Sequence, residues 1–233
     1  MHRTLGHVLL SGPMASVVSV NLARVRVPGW KQAVGRTGID KRPVAHRVRF
    51  ANDHVEGDAV CDVEHHGGYD QAGYAYATED AAWWARELDR VVEPGQFGEN
   101  LTTEGLDQTG AVIGERWAIG SAVLQVSSPR IPCRTLAGFW EVPDMIRRFT
   151  QAGRPGAYLR IVTEGDIGAG DRIEVVHRPS HGVTLGETFR ALTGDRRLAH
   201  RLLEAPELPA AARARAYIWL GDRSSTEPAA PEF

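Results

Sequence analysis

The stretch that decides the fold is AVLQVSSPRIPCR, at residues 122–134. Its apolar, β-branched start predicts a strand over Ala122–Val126. Two prolines stiffen the loop that follows, and that loop carries Cys133 between Arg130 and Arg134. Nearby positive charge lowers the pKa of a thiol and favours the thiolate, which binds metals or acts as a nucleophile. The alternative is a small buried apolar side chain, which is the usual fate of a free cysteine.

Working outward, short β-branched runs separated by glycine-containing turns predict more strands, at Ser16–Val20, Val44–Phe50, Ala59–Val63, Ala157–Val162 and Arg172–Val176. Helices are predicted after a cap at Thr78 and from Pro143. After His181 the apolar period changes from two to 3.6, with a capping box at 184–187, and three short helices are expected. Many strands followed by helices predict a mainly β (α+β) protein.

The segment boundaries follow these changes in pattern. Residues 1–13 are expected to be a flexible lead-in, because their apolar run is too short for a secretory signal. Residues 14–178 are predicted to form the main β domain, and residues 179–222 a three-helix C-terminal domain. Residues 223–233 are rich in proline and alanine and are predicted to be disordered.

Composition excludes several classes of protein. The chain has 233 residues, and 27 Lys+Arg against 29 Asp+Glu give a net charge of −2, so a strongly basic nucleic-acid-binding protein is excluded. No apolar run is long enough to span a membrane. The two cysteines are too few for a disulfide scaffold or for a four-thiolate iron–sulfur cluster, and a reduced, cytoplasmic location is expected. Cys61, with no cation beside it, is interpreted as structural.

Three further clusters hold candidate site residues. The stretch HHGGYDQA offers His66 and Asp70 as ligands or proton carriers, and Gly67 and Gly68 permit close backbone approach to a ligand. A polar turn capped by Asp70 is the alternative. The other two clusters are TGIDKRPV, which holds Thr37 and Lys41, and FGENLT, which holds Asn100. Each of these alone is typical of an ordinary loop.

Taken together and in this order, the clusters resemble the blocks of the MOSC domain family, in its stand-alone YiiM-type branch. The segments that carry the resemblance are TGIDKRPV, HHGGYDQA, FGENLT, SSPRIPC and GRPGAYLRIVTEGDIGAGDRIEV. The helical segment after His181 resembles the three-helix extension of that branch. The resemblance covers about residues 15–222, and it is specific because the blocks occur in register.

The resemblance implies a closed, pyruvate-kinase-type β-barrel with helical insertions. It also implies molybdenum cofactor, a molybdopterin that holds the metal through two sulfurs, as the ligand. The position of the family's metal-binding cysteine is Cys133. The residues expected to bind the cofactor are Arg130, Gly67, Gly68, Asn100 and Thr37. Asp70, His66 and Lys41 are expected to orient substrate or to deliver protons.

The function implied first is two-electron reduction of N-hydroxylated compounds, such as N-hydroxylated purines, at molybdenum, a detoxification chemistry. The alternatives are a sulfur carrier with a persulfide on Cys133 and a module that binds or stores the cofactor without turnover. Because no flavin, haem or cluster motif occurs, electrons are expected from a separate ferredoxin, flavodoxin or cytochrome b5-like partner. The helices are its candidate docking element or, equally, a lid on the barrel. No nucleic-acid or membrane partner is expected, and a homodimer stays open.

Overall fold

The protein is described by a computed structural model that covers residues 14–30 and 34–221. The predicted lead-in at 1–13, residue 222 and the predicted tail at 223–233 lie outside the described residues. The strands are β1 (Ser16–Ala23), β2 (Lys41–Val44), β3 (Val48–Ala51), β4 (His54–Val55), β5 (Gly73–Ala77), β6 (Leu101–Glu104), β7 (Arg116–Ile119), β8 (Ala122–Ser128), β9 (Ala157–Thr163), β10 (Gly165–Ile167) and β11 (Ile173–His177). The helices are α1 (Thr78–Leu88), α2 (Arg134–Trp140), α3 (Met145–Ala152), α4 (Leu185–Thr193), α5 (Ala199–Leu202) and α6 (Ala210–Leu220).

A mainly antiparallel sheet of eight strands dominates the fold, in the order β11-β7-β8-β9-β5-β6-β1-β2. The pair β5 and β6 is parallel. A smaller sheet has the order β10-β3-β4. Alternation along β9 buries Leu159 and Ile161 in the main core, so that Tyr158 and Arg160 lie on the opposite face. The mixed α+β class is therefore confirmed.

The two ends of the large sheet approach each other along β1. The backbone N–H of Val17 donates to the Asp171 carbonyl at 2.9 Å, and that of Gly170 donates to the Val17 carbonyl at 2.7 Å. The N–H of Ile173 donates to the Ala15 carbonyl at 2.8 Å. These bonds join the start of β1 to the segment that leads into β11. The closed pyruvate-kinase-type barrel remains a prediction.

A second core, largely aromatic, lies between the sheet and the helices α1 to α3. The Phe97 ring is at its centre, with ring centroids 4.2 Å from Tyr76 and 4.8 Å from Trp140. Trp84 of α1 donates its indole N–H to the Tyr76 hydroxyl at 2.9 Å, which satisfies a buried polar group. The loop that carries Phe97 is therefore held in place by this aromatic core.

The C-terminal helices start as the sequence predicts. The Thr184 hydroxyl accepts the Glu187 N–H at 3.1 Å, and the Glu187 carboxylate accepts the Thr184 N–H at 3.1 Å, which is the predicted capping box. Leu185 and Leu202 are fully buried in the same apolar core as the strands. The division into domains at residues 178 and 179 stays a prediction.

Two local expectations are wrong, and one helix is missing from the prediction. Ala59–Val63 forms no strand, because it pairs with no neighbour, and Val63 is 79% exposed. Thr78 does not cap α1: the cap position is Ala77, directly after β5, and the Thr78 hydroxyl donates to the Glu79 carboxylate instead. Helix α2 was not predicted, because Gly138 and the aromatic residues around it hide its helical period.

Among residues 14–30 and 34–221, no helix is both long enough and apolar enough to cross a membrane.

Candidate active site

Strand β8 brings Cys133 to the site. The strand ends at Ser128, and a short loop with two prolines leads to Cys133, the N-cap residue of α2. The Ala137 N–H donates to the Cys133 carbonyl at 3.1 Å and fixes the first turn of the helix. The thiol is free and partly exposed. The site therefore begins with a thiol on a rigid support.

The surroundings of Cys133 favour its thiolate. Burial raises the pKa of the thiol, but hydrogen bonding by the His66 side chain, the positive charge of Arg130 and the Leu136 backbone N–H lower it, to about 6. Because the ordinary pKa of a thiol is about 8.5, these interactions outweigh the cost of burial. Most molecules therefore carry a Cys133 thiolate at neutral pH, as a metal ligand or a nucleophile requires.

Arg130 is buried behind the thiol, at 6% exposure. Its Nη1 donates to the Phe97 carbonyl at 2.6 Å, and its guanidinium lies 5.2 Å from the centre of the Tyr74 ring. The buried Nε–H has no hydrogen-bond partner within the described part of the chain. Since a buried donor without a partner is costly, this group is a candidate for binding an acceptor atom of a ligand.

The segment from His65 to Gly68 faces Cys133 from the other side. His66 is the residue that contacts the thiol, whereas His65 pairs with the Asp62 carboxylate at 3.0 Å. The two histidines, which lie in a turn, therefore serve different groups. Gly67 and Gly68 have φ angles of +83° and +73°. A Cβ atom at Gly68 would have no atom within 4 Å, so the backbone there borders open space.

Asp70 is engaged elsewhere. Its Oδ1 accepts from both Nε and Nη2 of Arg160, at 2.7 and 2.6 Å. Its carbonyl accepts from the Ser127 hydroxyl at 2.5 Å, which ties the turn to β8. The Asp70 carboxylate is therefore committed to an ion pair with Arg160.

Lys41 belongs to a closed, buried cluster. Its ammonium pairs with the Asp58 carboxylate, which also accepts from Asn100 Nδ2 at 2.9 Å and from the Ala23 N–H at 2.8 Å. Burial lowers the pKa of Lys41, partly against the attraction of Asp58. Burial also raises the pKa of Asp58, but the charge of Lys41 and these hydrogen bonds hold it below the ordinary value. We call Lys41, Asp58 and Asn100 the Lys41 cluster.

The contacts of Thr37 are with other residues than those of the Cys133 site and the Lys41 cluster. Its backbone pairs with Arg26, and its hydroxyl accepts the Ile39 N–H at 3.3 Å, so that it shapes a buried turn. The loop that leads to Asn100 is braced by Glu99, whose carboxylate accepts the Gly95 N–H at 2.6 Å and the Phe97 N–H at 3.0 Å. This loop lies between the Lys41 cluster and Arg130.

Sequence reasoning missed three residues of the region. Asp58 and Arg160 neutralise predicted site residues, and Tyr158 lies near enough to Cys133 for the thiolate to affect its pKa. Burial raises the Tyr158 pKa, Arg130 lowers it and Cys133 raises it. Tyr158 and Arg160 alternate with core residues on β9, and this period of two was the available signal. No pattern in the sequence indicated Asp58, because its partners are distant along the chain.

The described residues contain no cluster of three or more His, Cys, Asp or Glu side chains that could hold a metal ion. A metal held here through Cys133 would need further ligands that this part of the chain does not offer.

A family model described as "MOSC domain" matches residues 62–174. Uncharacterized protein YflK of Bacillus subtilis is 35% identical over 170 residues, which are 73% of this chain and 77% of that protein. A protein named "Reductase" from Gibberella moniliformis is 29% identical over 148 residues, 62% of this chain but 26% of that protein.

The crystal structure of YiiM from Geobacillus stearothermophilus superimposes with a TM-score of 0.74 at 30% identity. The match covers 88% of this chain and 99% of that one. The sequence and structural matches agree with the predicted blocks, and the chain belongs to the MOSC domain family, in the group that includes YiiM.

Proposed function

We propose that the protein is a molybdenum-cofactor-dependent reductase of N-hydroxylated compounds. The observation that carries the proposal is the position of the Cys133 thiol, at the N-cap of α2 beside the His66 side chain and the Arg130 guanidinium, which lower its pKa. MOSC domains are associated with molybdenum cofactor, and one relative with partial coverage is named a reductase. The partly exposed Cys133 thiolate gives this chain a matching ligand.

The residues present fit the cofactor. A soft thiolate suits a metal that already has sulfur ligands, and Cys133 is the residue that would hold it. The buried Arg130 Nε–H, which finds no partner among the described residues, would donate to an acceptor atom of the pterin or of its phosphate. The open space at Gly68 lets a ligand approach the backbone. When bound, the cofactor supplies a metal that exchanges two electrons with a substrate N–O bond.

Among the predicted proton carriers, His66 is the best placed. Lys41 is enclosed by Asp58 and Asn100, and Asp70 is paired with Arg160, so neither offers a free group. His66 contacts the Cys133 thiol and lies two residues before Gly68, whose backbone borders open space, and an imidazole can carry a proton on either ring nitrogen. We assign His66 the task of holding the proton that the departing oxygen needs, on a ring nitrogen. Lys41, Asn100 and Thr37 support the loops around the site.

The proposal extends to the surroundings of the reaction. We propose a cytoplasmic protein that receives electrons from a separate ferredoxin, flavodoxin or cytochrome b5-like donor. We also propose that the sheet closes as the predicted barrel, which the hydrogen bonds between β1 and the segment before β11 support.

A sulfur carrier is the second candidate, and the same thiol favours it. The Cys133 thiolate would attack the outer sulfur of a donor persulfide, and the donor's thiolate would leave, so the transfer needs no oxidant. The resulting persulfide on Cys133 would lie beside the Arg130 guanidinium, which stabilises its negative charge. A carrier differs from a reductase in one measurable respect, because it would show no catalytic reduction of N-hydroxylated compounds.

The test is to express the protein in a host that makes molybdenum cofactor and to measure molybdenum per chain by mass spectrometry. Wild type, Cys133→Ser and the matched control Cys61→Ser are compared, and each is assayed with reduced viologen and N-hydroxyadenine. The reductase predicts metal and turnover in wild type and in Cys61→Ser, and loss of both in Cys133→Ser. Metal without turnover would favour a storage or carrier module, and no metal in any variant would contradict the proposal.

A further inference from the structure

Tyr69 is a large aromatic side chain that the fold leaves 62% exposed next to the site. Single exposed apolar residues are common and need no explanation. This ring, however, is held in place: the Arg160 guanidinium lies 5.2 Å from its centre. A guanidinium against one face of an aromatic ring is an attractive contact that fixes the orientation of the ring.

The support under the ring is rigid. Arg160 is only 8% exposed, and its guanidinium is bound by the Asp70 carboxylate at 2.7 and 2.6 Å and by Gln125 Oε1 at 3.3 Å. An arginine with these partners cannot turn away without breaking a partly buried ion pair. Tyr69 and Arg160 therefore form a preorganised shelf, with one ring face on the cation and most of the ring open to solvent.

The shelf lies within reach of the thiol. Arg160 and Tyr158 are two residues apart on one face of β9, about 7 Å from each other. The Tyr158 ring lies 5.0 Å from the Tyr74 ring, which the Arg130 guanidinium covers at 5.2 Å, and Cys133 and Tyr158 pack against the same aromatic core. On the other side, only Gly67 and Gly68 separate His66 from Tyr69, so the Cα atoms of His66 and Tyr69 are at most about 11 Å apart. Between them is Gly68, where a Cβ atom would meet nothing within 4 Å. A ligand can therefore extend from Cys133 to Tyr69 across this glycine.

We propose that Tyr69 and Arg160 form a stacking shelf that selects flat heteroaromatic substrates, such as N-hydroxylated purine or pyrimidine bases, over small N-hydroxylated compounds without a ring. The proposal rests on the proposed function for the reaction at the thiol end of the site. Stacking between a base and an aromatic side chain is tolerant of base identity, so the shelf selects for planarity rather than for one base. The Tyr69 hydroxyl has no part in this selection.

The experiment is calorimetric titration of the purified protein with N-hydroxyadenine and with hydroxyurea, for wild type, Tyr69→Phe, Tyr69→Leu and Tyr69→Ala. Tyr69→Phe keeps the ring and is expected to bind the base within about twofold of wild type, whereas Tyr69→Leu and Tyr69→Ala weaken it about tenfold. Tyr69→Leu keeps apolar bulk without the ring, which separates stacking from simple burial. Thermal unfolding of each variant confirms that it is folded.

Two results would overturn the shelf: Tyr69→Leu binding the base as tightly as wild type, or no measurable binding of the base to wild type. The reduced-viologen assay on the same variants separates this outcome from failure of the proposed function. If binding of the base depends on the Tyr69 ring but no turnover occurs, the proposed shelf is supported and the proposed reductase activity is rejected. Turnover whose preference for N-hydroxyadenine over hydroxyurea is equal in wild type and Tyr69→Leu would leave the reductase and remove the shelf.

Discussion

The Cys133 site and the Lys41 cluster both hold buried titratable groups, but they are completed in opposite ways. Lys41 has a carboxylate partner inside the protein, and that carboxylate is satisfied in turn by Asn100 and by a backbone N–H. Cys133 has cationic and donor neighbours that favour its thiolate, while the buried Arg130 Nε–H has no partner in the part of the chain that the structure describes. The members of the Lys41 cluster satisfy one another, whereas the Cys133 site is completed only by a ligand.

The contrast distinguishes charged groups that stabilise the fold from charged groups that can act on a ligand. A buried ion pair whose members satisfy each other holds segments together and offers nothing to a substrate. A thiol with a lowered pKa beside an unpartnered donor is typical of a reactive or metal-binding site. Charged residues in neighbouring sequence blocks therefore do different work, and only the structure tells them apart.

The largest expected effect concerns the Lys41 cluster. Asp58→Ala leaves the Lys41 ammonium buried without its partner, and we expect the free energy of unfolding to fall by about 3–5 kcal/mol. Urea unfolding measures the change. The matched variant is Cys133→Ser, a near-isosteric change at a partly exposed position, for which we expect a loss of less than about 1 kcal/mol. A large loss of stability in Cys133→Ser with none in Asp58→Ala would contradict this account, because it would make Cys133 the structural residue and Asp58 the dispensable one.

A smaller effect is expected on the stability of the protein at acidic pH. Asp58 has a lower pKa in the folded than in the unfolded protein, so the unfolded chain binds more protons between the two values. The stability that this carboxylate contributes is therefore full above its unfolded pKa and is lost as the pH falls through its folded pKa. Melting temperatures measured from about pH 6 to about pH 3 should fall more steeply in wild type than in Asp58→Asn. Parallel curves would show that the pair adds nothing to the pH dependence.

The smallest effect concerns the thiol. His66→Ala removes a hydrogen bond that lowers the Cys133 pKa, so the pKa rises and the thiolate fraction at neutral pH falls. We expect Cys133 to react with iodoacetamide at least about twofold more slowly at pH 7. The matched control is His65→Ala, whose side chain pairs with Asp62. Equal slowing in both variants would show that the effect is not specific to His66.

The sequence predicted elements that local pattern decides. Strand β8 and the loop to Cys133 were found because an apolar, β-branched run, two prolines and flanking arginines are all visible within residues 122–134. The capping box at Thr184 was found for the same reason. Ala59–Val63 has β-branched residues but no strand beside it, and a pattern cannot show whether a partner strand exists.

The missing part of the site consists of partners from distant segments. Asp58 meets Lys41, Asn100 and Ala23, which are 17, 42 and 35 residues away along the chain. Arg160 meets Asp70 across 90 residues. Such pairs depend on sheet topology, so the sequence indicated which residues carry charge but not which charges are already neutralised.

The decisive measurement is the pH dependence of alkylation at each cysteine of the wild-type protein, resolved by peptide mass spectrometry, with Cys61 as the internal reference. If His66 and Arg130 hold Cys133 as a thiolate, its rate of alkylation rises with a midpoint near pH 6. A midpoint at the ordinary thiol value of about 8.5 would contradict the thiolate site on which the proposed function depends.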